Sequence, residues 1–371
     1  MDNTLDFFKQ KRPWSKYKDL ILDYYLQPYL HKVAKLRKPI LVVDCFAGPG
    51  KFDDGEAGSP IIISKHLQAL HEKGIKVIGY FVEKNPELYE RLNVNTSGFS
   101  FPVFTKKGDF RNYVEEIGEF SKTHTVFVYL DPIKPSHLIF NVLESVYNNL
   151  TQGQSVETLI NFLSIGFLRA VRSLGDNIAE SGVPKNNPAL VKKWDDIAGG
   201  TYWHDIVFPT TFKPHNLADY DRLAEGYREQ LSRWFTWRLS YPVREKYNQQ
   251  PKYHLIFGSR HPDAIELMNS GMVKARREFV GSRFIKGHLF ANQPKEEVIR
   301  PEEIIKLIIQ ISKKVGKETW KMLRVHSTIT EPCMYNPSEL NQAIKMAIKK
   351  GDLKSNCSGD KIEEDALVWS I

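Results

Sequence analysis

Cysteine is scarce in this chain, with Cys45, Cys333 and Cys357 the only three among 371 residues. They cannot all pair and have no zinc-ligand spacing, which argues against a disulfide framework and a structural metal site and points to a reducing cytoplasm. The 11 histidines are scattered, and none falls in a His-Glu-x-x-His pattern. No apolar run approaches the ~18–20 residues of a membrane helix, so no membrane partner is expected. The first residues, Met1 to Asp6, hold neither the basic nor the apolar stretch of a secretory signal, and a cytoplasmic location is the expectation. A glycine is also missing where one would matter. Three residues after Gly50 stands Asp53, followed by Asp54. A dinucleotide turn requires Gly-x-Gly-x-x-Gly, and two carboxylates beside a pyrophosphate would repel it. Nicotinamide and flavin sites are therefore disfavoured.

What is present centres on Ile40-Leu-Val-Val-Asp44-Cys45-Phe46-Ala47-Gly48-Pro49-Gly50. The apolar run reads as a strand buried on both faces, as at the centre of a parallel sheet. Gly48 and Gly50 let the backbone turn and approach a ligand closely. Asp44 falls at the carboxyl end of the strand, where open α/β sheets bind ligands. An acid there suits a cationic or hydroxyl-bearing cofactor better than a bare phosphate.

The pattern then repeats. A strand over 76–82 ends in Glu83, which is either an acceptor for two ribose hydroxyls or an exposed strand-end carboxylate. A strand over 101–104 leads to Asp109 and Phe110. That pair suits an adenine amino group and its ring, or Asp109 caps a helix over 110–120. A strand over 125–130 ends in Asp131-Pro132-Ile133-Lys134-Pro135, and a fifth spans 158–163. Ser59 and Pro60 read as the N-cap and first residue of a helix. Strands alternating with helical stretches predict a parallel sheet with helices on its faces.

Residues 164–237 hold several prolines and the tryptophans Trp194, Trp203, Trp234 and Trp237 between short amphipathic helices. They read as a helical insertion or lid, whose tryptophans either fill a core or, beside Lys192 and Lys193, stack bases. A hairpin over 238–246 and 252–259, with a covering helix over 261–275, completes the sheet with a reversed last strand. From 300 onward, three helices followed by a short hairpin have the order of a winged helix. That domain serves either nucleic-acid contact or protein contact. The domains expected are thus 1–163, 164–237, 238–299 and 300–371.

An acid followed by Phe-Ala-Gly-Pro-Gly resembles the first motif of class I S-adenosylmethionine-dependent methyltransferases. The resemblance implies a Rossmann-like methyltransferase sheet with S-adenosyl-L-methionine as cofactor. Asp44, Phe46, Gly48, Gly50, Glu83, Asp109 and Phe110 are the candidate cofactor residues. Asp131 and Pro132 stand where amino-directed nucleic-acid methyltransferases have Asp-Pro-Pro and an aromatic. Here Ile133 and Lys134 replace the second proline and the aromatic, so the acceptor carboxylate is kept and the stacking platform is not. Lys134 reads as a phosphate ligand, a base or a solvated side chain. The net charge of +8 favours a polyanionic partner. Residues 16–29, 44–50, 58–60, 81–83, 130–132 and 253–261 together resemble the three-Cys-motif partner proteins. That likeness implies association with a companion that looks like a radical S-adenosylmethionine protein. Two expectations follow: methyl transfer to DNA or RNA with Asp131 positioning the acceptor, or a non-catalytic, methyltransferase-like partner protein.

Overall fold

Apolar runs set the sheet. A computed structural model describes residues 4–148, 150, 154–175, 188–208, 216–244, 249–285, 301–357 and 363–371. The chain divides into two units, Met1–Asp19 with Leu26–Arg260, and Leu20–Tyr25 with His261–Ile371. No described helix is long and apolar enough to cross a membrane.

In the first unit, β1 (Ile40–Asp44), β2 (Val77–Glu83), β3 (Val103–Lys107), β4 (Thr125–Leu130), β5 (Val156–Phe162), β6 (Trp237–Val243) and β7 (Tyr253–Ser259) form one sheet. Their order is β3-β2-β1-β4-β5-β7-β6, with β7 antiparallel to both β5 and β6 and the other pairs parallel. β1, β4, β5 and β7 are buried at every position, as central strands covered on both faces must be. The sequence leaves β1 toward β2 on one side, and β4 pairs on the other, with Asp44 opposite both Phe81 and Tyr129. Ligands of open α/β sheets bind at such a switch point.

Several boundaries differ from the sequence reading. β3 begins at Val103 because Pro102 has no N–H to give a ladder; its carbonyl instead accepts from Gly79 N at 3.1 Å. Gly58, not Ser59, caps the helix Ser59–His71, since the Ser59 hydroxyl is turned to Asp44. The helix expected over 110–120 is a 3-10 turn, Phe110–Asn112, followed by Val114–Ser121. The helix after β7 runs on to Ile285, through Arg276, Arg277 and Glu278, which are good helix formers.

Helices Ser164–Gly175, Pro188–Ala198, His204–Val207 and Leu217–Gln230 occupy the region read as an insertion. Phe167, Trp194, Trp203 and Tyr227 are buried in the same apolar cluster as Leu41, Val43 and Val128 of the sheet. The core reading of Trp194 and Trp203 therefore holds over base stacking. His254 of β7 joins Ser164 Oγ (2.8 Å) to Asp221 (2.9 Å) and is 1% exposed. Residues 176–187 and 209–215 of this region lie outside the described residues. So do residues 245–248 of the expected hairpin, residues 286–300 with the expected boundary at 300, and residues 358–362, which include most of the expected closing turn.

The second unit contains helices Pro301–Val315, Trp320–Thr330 and Pro337–Lys350, with β8 (Glu318–Thr319), β9 (Leu353–Ser355) and β10 (Leu367–Ser370) in the antiparallel order β8-β10-β9. Ile304, Ile308, Leu323, Ile344 and Val368 share its core. Its middle helix starts at Trp320 because Glu318 and Thr319 pair with β10. Asn336 and Glu339 form a reciprocal cap, and Gly351 (φ 82°) ends that helix in the left-handed region. Arg324, 4% exposed, is held by Glu266, Glu364 and Asn341.

Candidate functional site

At the carboxyl ends of β1, β4 and β5 a cavity of about 350 Å³ opens between the glycine loop and the helix Pro13–Ala34. Its walls include Phe7, Phe8, Trp14, Phe46, Phe52 and Leu163, with Lys18, Asp19, Asp131 and Asn161 among its polar residues. Aromatic walls with a few convergent polar groups are the usual composition of a small-molecule site. The described residues of 164–237 contribute none of it.

The glycine loop is shaped by its own backbone. Gly48 (φ 61°) and Gly50 (φ 79°) both take the left-handed conformation that a side chain disfavours. Asp44, fully buried, accepts from Phe46 N at 3.0 Å and from Ser59 Oγ at 2.6 Å. It thereby ties the start of the loop to the helix that follows it. Burial pushes its carboxyl up to about 7, against the two hydrogen bonds that favour the charged form. Glu83 accepts from Gly48 N at 2.8 Å and Asn85 N at 2.6 Å, so it braces the loop from β2. Burial raises its pKa as well.

Asp131 has different company. Its carboxylate accepts from Lys18 Nζ and from Asn161 Nδ2, the latter at 2.6 Å. Lys18 comes from the helix before β1 and Asn161 from the end of β5, so three separated segments meet at one carboxylate. Beside them Lys11 Nζ pairs with Asp19 at 2.6 Å and donates to Ala57 O at 2.6 Å. Burial raises the Asp19 pKa against the pull of Lys11 and Lys18.

The structure gathers some of the sequence candidates and separates others. Phe46, Gly50, Asp131 and Pro132 line the cavity. Asp44, Glu83, Asp109, Phe110 and Lys134 are not among its walls. Asp109 accepts from Arg111 Nε and Nη2, both at 2.7 Å, and from Lys84 at 3.0 Å. The Arg111 hydrogen bonds hold its carboxyl well below the usual range. It also caps the turn at 110–112, accepting from Arg111 N at 3.2 Å. Phe110 is buried with its ring 5.0 Å from that of Phe46. Lys134 is exposed.

An aromatic arm overlies the loop. Phe8 packs on Gly48 so closely that a Cβ there would lie 2.8 Å from the ring. The rings of Phe8 and Phe52 are 5.4 Å apart, and Phe8 O accepts from Asp53 N at 2.9 Å. Lys11 N donates to Asp54 at 2.9 Å. The two acids after the glycine loop therefore fasten the amino-terminal segment.

Asn161 and this arm have no place in the motif-based reading, and Lys18 falls in the resembling segment 16–29 without being singled out as a site residue. Lys18 had a signal: with Leu22, Tyr25 and Tyr29 it continues one buried helical stripe, where a charge demands a partner. Asn161 had another, since it ends the fifth strand as the acids end the others. The arm had none. Comparison with protein-family models and with curated proteins gives no match for this chain.

Proposed function

We propose that this protein is a class I S-adenosylmethionine-dependent methyltransferase acting on nucleic acid. The observation that carries the reading is the sheet order β3-β2-β1-β4-β5-β7-β6 with β7 reversed, combined with a positive-φ glycine loop that opens onto a cavity at the β1–β4 switch point. That order, with its one reversed strand, is the pattern of methyltransferase sheets.

The residues fit the cofactor in kind. Gly50 and Phe46 would border its methionine end, and Glu83 would take the ribose hydroxyls. Glu83 already accepts from the backbone N–H groups of Gly48 and Asn85 and would take those hydroxyls on its remaining lone pairs. Asp109 and Phe110 would flank the adenine. Phe8 lies on Gly48, so the arm would shift for a nucleoside to reach Glu83. When bound, the cofactor supplies the activated methyl group; the protein aligns the acceptor and keeps water out. Asp131, held by Lys18 and Asn161, would orient the acceptor's N–H. Lys51 and Lys252, both exposed, line the same cavity and suit a phosphodiester substrate. The second unit, three helices with the antiparallel sheet β8-β10-β9, would serve the same reading as a winged helix that contacts the polymer.

One observation favours a second reading, a non-catalytic partner of a radical S-adenosylmethionine-like companion. The carboxylates of Asp109 and Asp131 already hold cations of the chain itself. The test is calorimetric titration with S-adenosylmethionine, followed by transfer of its labelled methyl group to DNA and RNA. Binding with transfer supports the enzyme. Binding without transfer to either polymer supports the partner. No binding in wild type removes the enzyme and leaves the partner reading, which a binding shift with a companion protein but not with DNA or RNA would support.

A further inference from the structure

The sequence lacks an aromatic after Asp131-Pro132, and the structure brings one to the same cavity from elsewhere. Trp14 lines the cavity together with Asp131, Pro132 and the exposed Ile133. It is half-buried, whereas Trp194 and Trp203 are committed to the core and Trp234 stacks on Phe140 at 5.2 Å. Lys252 Nζ lies over its ring, 5.1 Å from the centroid. Its backbone is anchored: Pro13 fixes the helix start, and the buried Tyr253 donates its hydroxyl to Trp14 O at 2.8 Å. Trp14 also stands four residues before Lys18, so the two share a helix face about 6 Å apart along the axis. Lys18 in turn holds Asp131.

Resting on the methyltransferase reading, we infer that Trp14 is the stacking platform for the methyl acceptor, and that the acceptor is therefore a planar nucleobase. A base that takes the place of Lys252 Nζ on the indole presents its edge toward Asp131, which Lys18 holds from one helical turn further along. There each oxygen, already taking one donor, has a lone pair for an exocyclic amine. The amine attacks through its own lone pair as the sulfonium–methyl bond of the donor breaks to a thioether, and the methylated nitrogen then loses its proton to water. An unpaired base meets this geometry more readily than one in a duplex, because an extruded base costs its stacking and pairing.

The experiment compares wild type, Trp14→Ala and Trp14→Phe in binding a mixed-sequence single-stranded oligonucleotide. Its abasic counterpart and S-adenosylhomocysteine are titrated in parallel. Trp14→Ala weakens oligonucleotide binding roughly 10- to 100-fold, as loss of a base–aromatic stack does. Trp14→Phe restores most of it, the abasic strand binds wild type as weakly as the intact strand binds Trp14→Ala, and affinity for S-adenosylhomocysteine is unchanged throughout. Equal losses in Phe and Ala variants, or an abasic strand that binds wild type as tightly as the intact one, overturn the inference. So does a wild type that binds S-adenosylhomocysteine but no oligonucleotide, while leaving the cofactor reading in place. A wild type that binds neither overturns the methyltransferase reading too.

Discussion

Asp44 and Asp131 stand at the ends of the neighbouring strands β1 and β4, each after an apolar run. Asp44 is sealed from solvent and bonded to one backbone N–H and one hydroxyl. Asp131 borders a cavity and is held by an ammonium and an amide. The same residue type at equivalent strand ends thus does two jobs. The first organises a loop and tolerates being neutral; the second needs its charge, because Lys18 is buried beside it. Position in the sheet marks a site, and the hydrogen-bonding company decides each acid's role within it.

The largest effect expected from this contrast is on pH dependence. Folded Asp44 keeps its proton up to about 7, while an unfolded aspartate gives it up near 3.8. The folded state therefore holds more protons between these values, and stability falls as pH rises from about 4 to 7, then levels. The span amounts to about 4 kcal/mol. Asp44→Asn can keep the bond from Phe46 N and donate to Ser59, so its advantage over wild type should grow across that range. Urea denaturation at several pH values reads it, and a wild-type-to-variant difference independent of pH refutes it.

At Asp131 the lesion is removal of the carboxylate itself, because Lys18 is buried against it. Asp131→Leu leaves Lys18 buried without its counter-charge and costs about 3 kcal/mol. The double variant with Lys18→Met should be milder than the sum of the single losses, by about 1 kcal/mol or more. Strict additivity would mean that the pair is not coupled. A smaller loss is expected at the loop that Asp44 organises. Gly48→Ala places a Cβ in the left-handed region and against Phe8, for about 1–2 kcal/mol. Phe8→Ala should relieve only the part due to contact, as thermal melts of the four proteins in that cycle would show. The smallest effect belongs to Lys84→Ala. Its exposed ammonium pairs with Asp109, which Arg111 also grips, and less than about 1 kcal/mol is expected.

Much of the sheet was legible in the sequence because buried parallel strands are uninterrupted apolar runs, and Asp44, Glu83 and Asp131 mark where three of them end. The reversal at β7 was legible from the short connection between 238–246 and 252–259, which a parallel crossover could not span. The candidate site was half legible. Gly50, Phe46 and Asp131 belong to contiguous motifs, and a motif is what a sequence displays. Lys18, Asn161 and Trp14 reach the cavity from segments up to 147 positions apart, the span from Trp14 to Asn161. Their convergence is a product of the fold, and each alone looks like an ordinary helix or strand residue. The pairing of Asp109 with Arg111 was hidden for another reason. Residues two apart do not meet on a helix, but a 3-10 turn capped by the aspartate folds the arginine back onto it.

The seat of Phe8 on Gly48 has a kinetic consequence. On the proposed methyltransferase reading, a nucleoside would reach Glu83 only past the Phe8 arm, which rests on Gly48 and is tied down by hydrogen bonds to Asp53, Asp54 and Ala57. Entry then waits on the arm, so the observed rate of capture in stopped flow should plateau as ligand concentration rises, and removal of the phenyl ring should lift that ceiling.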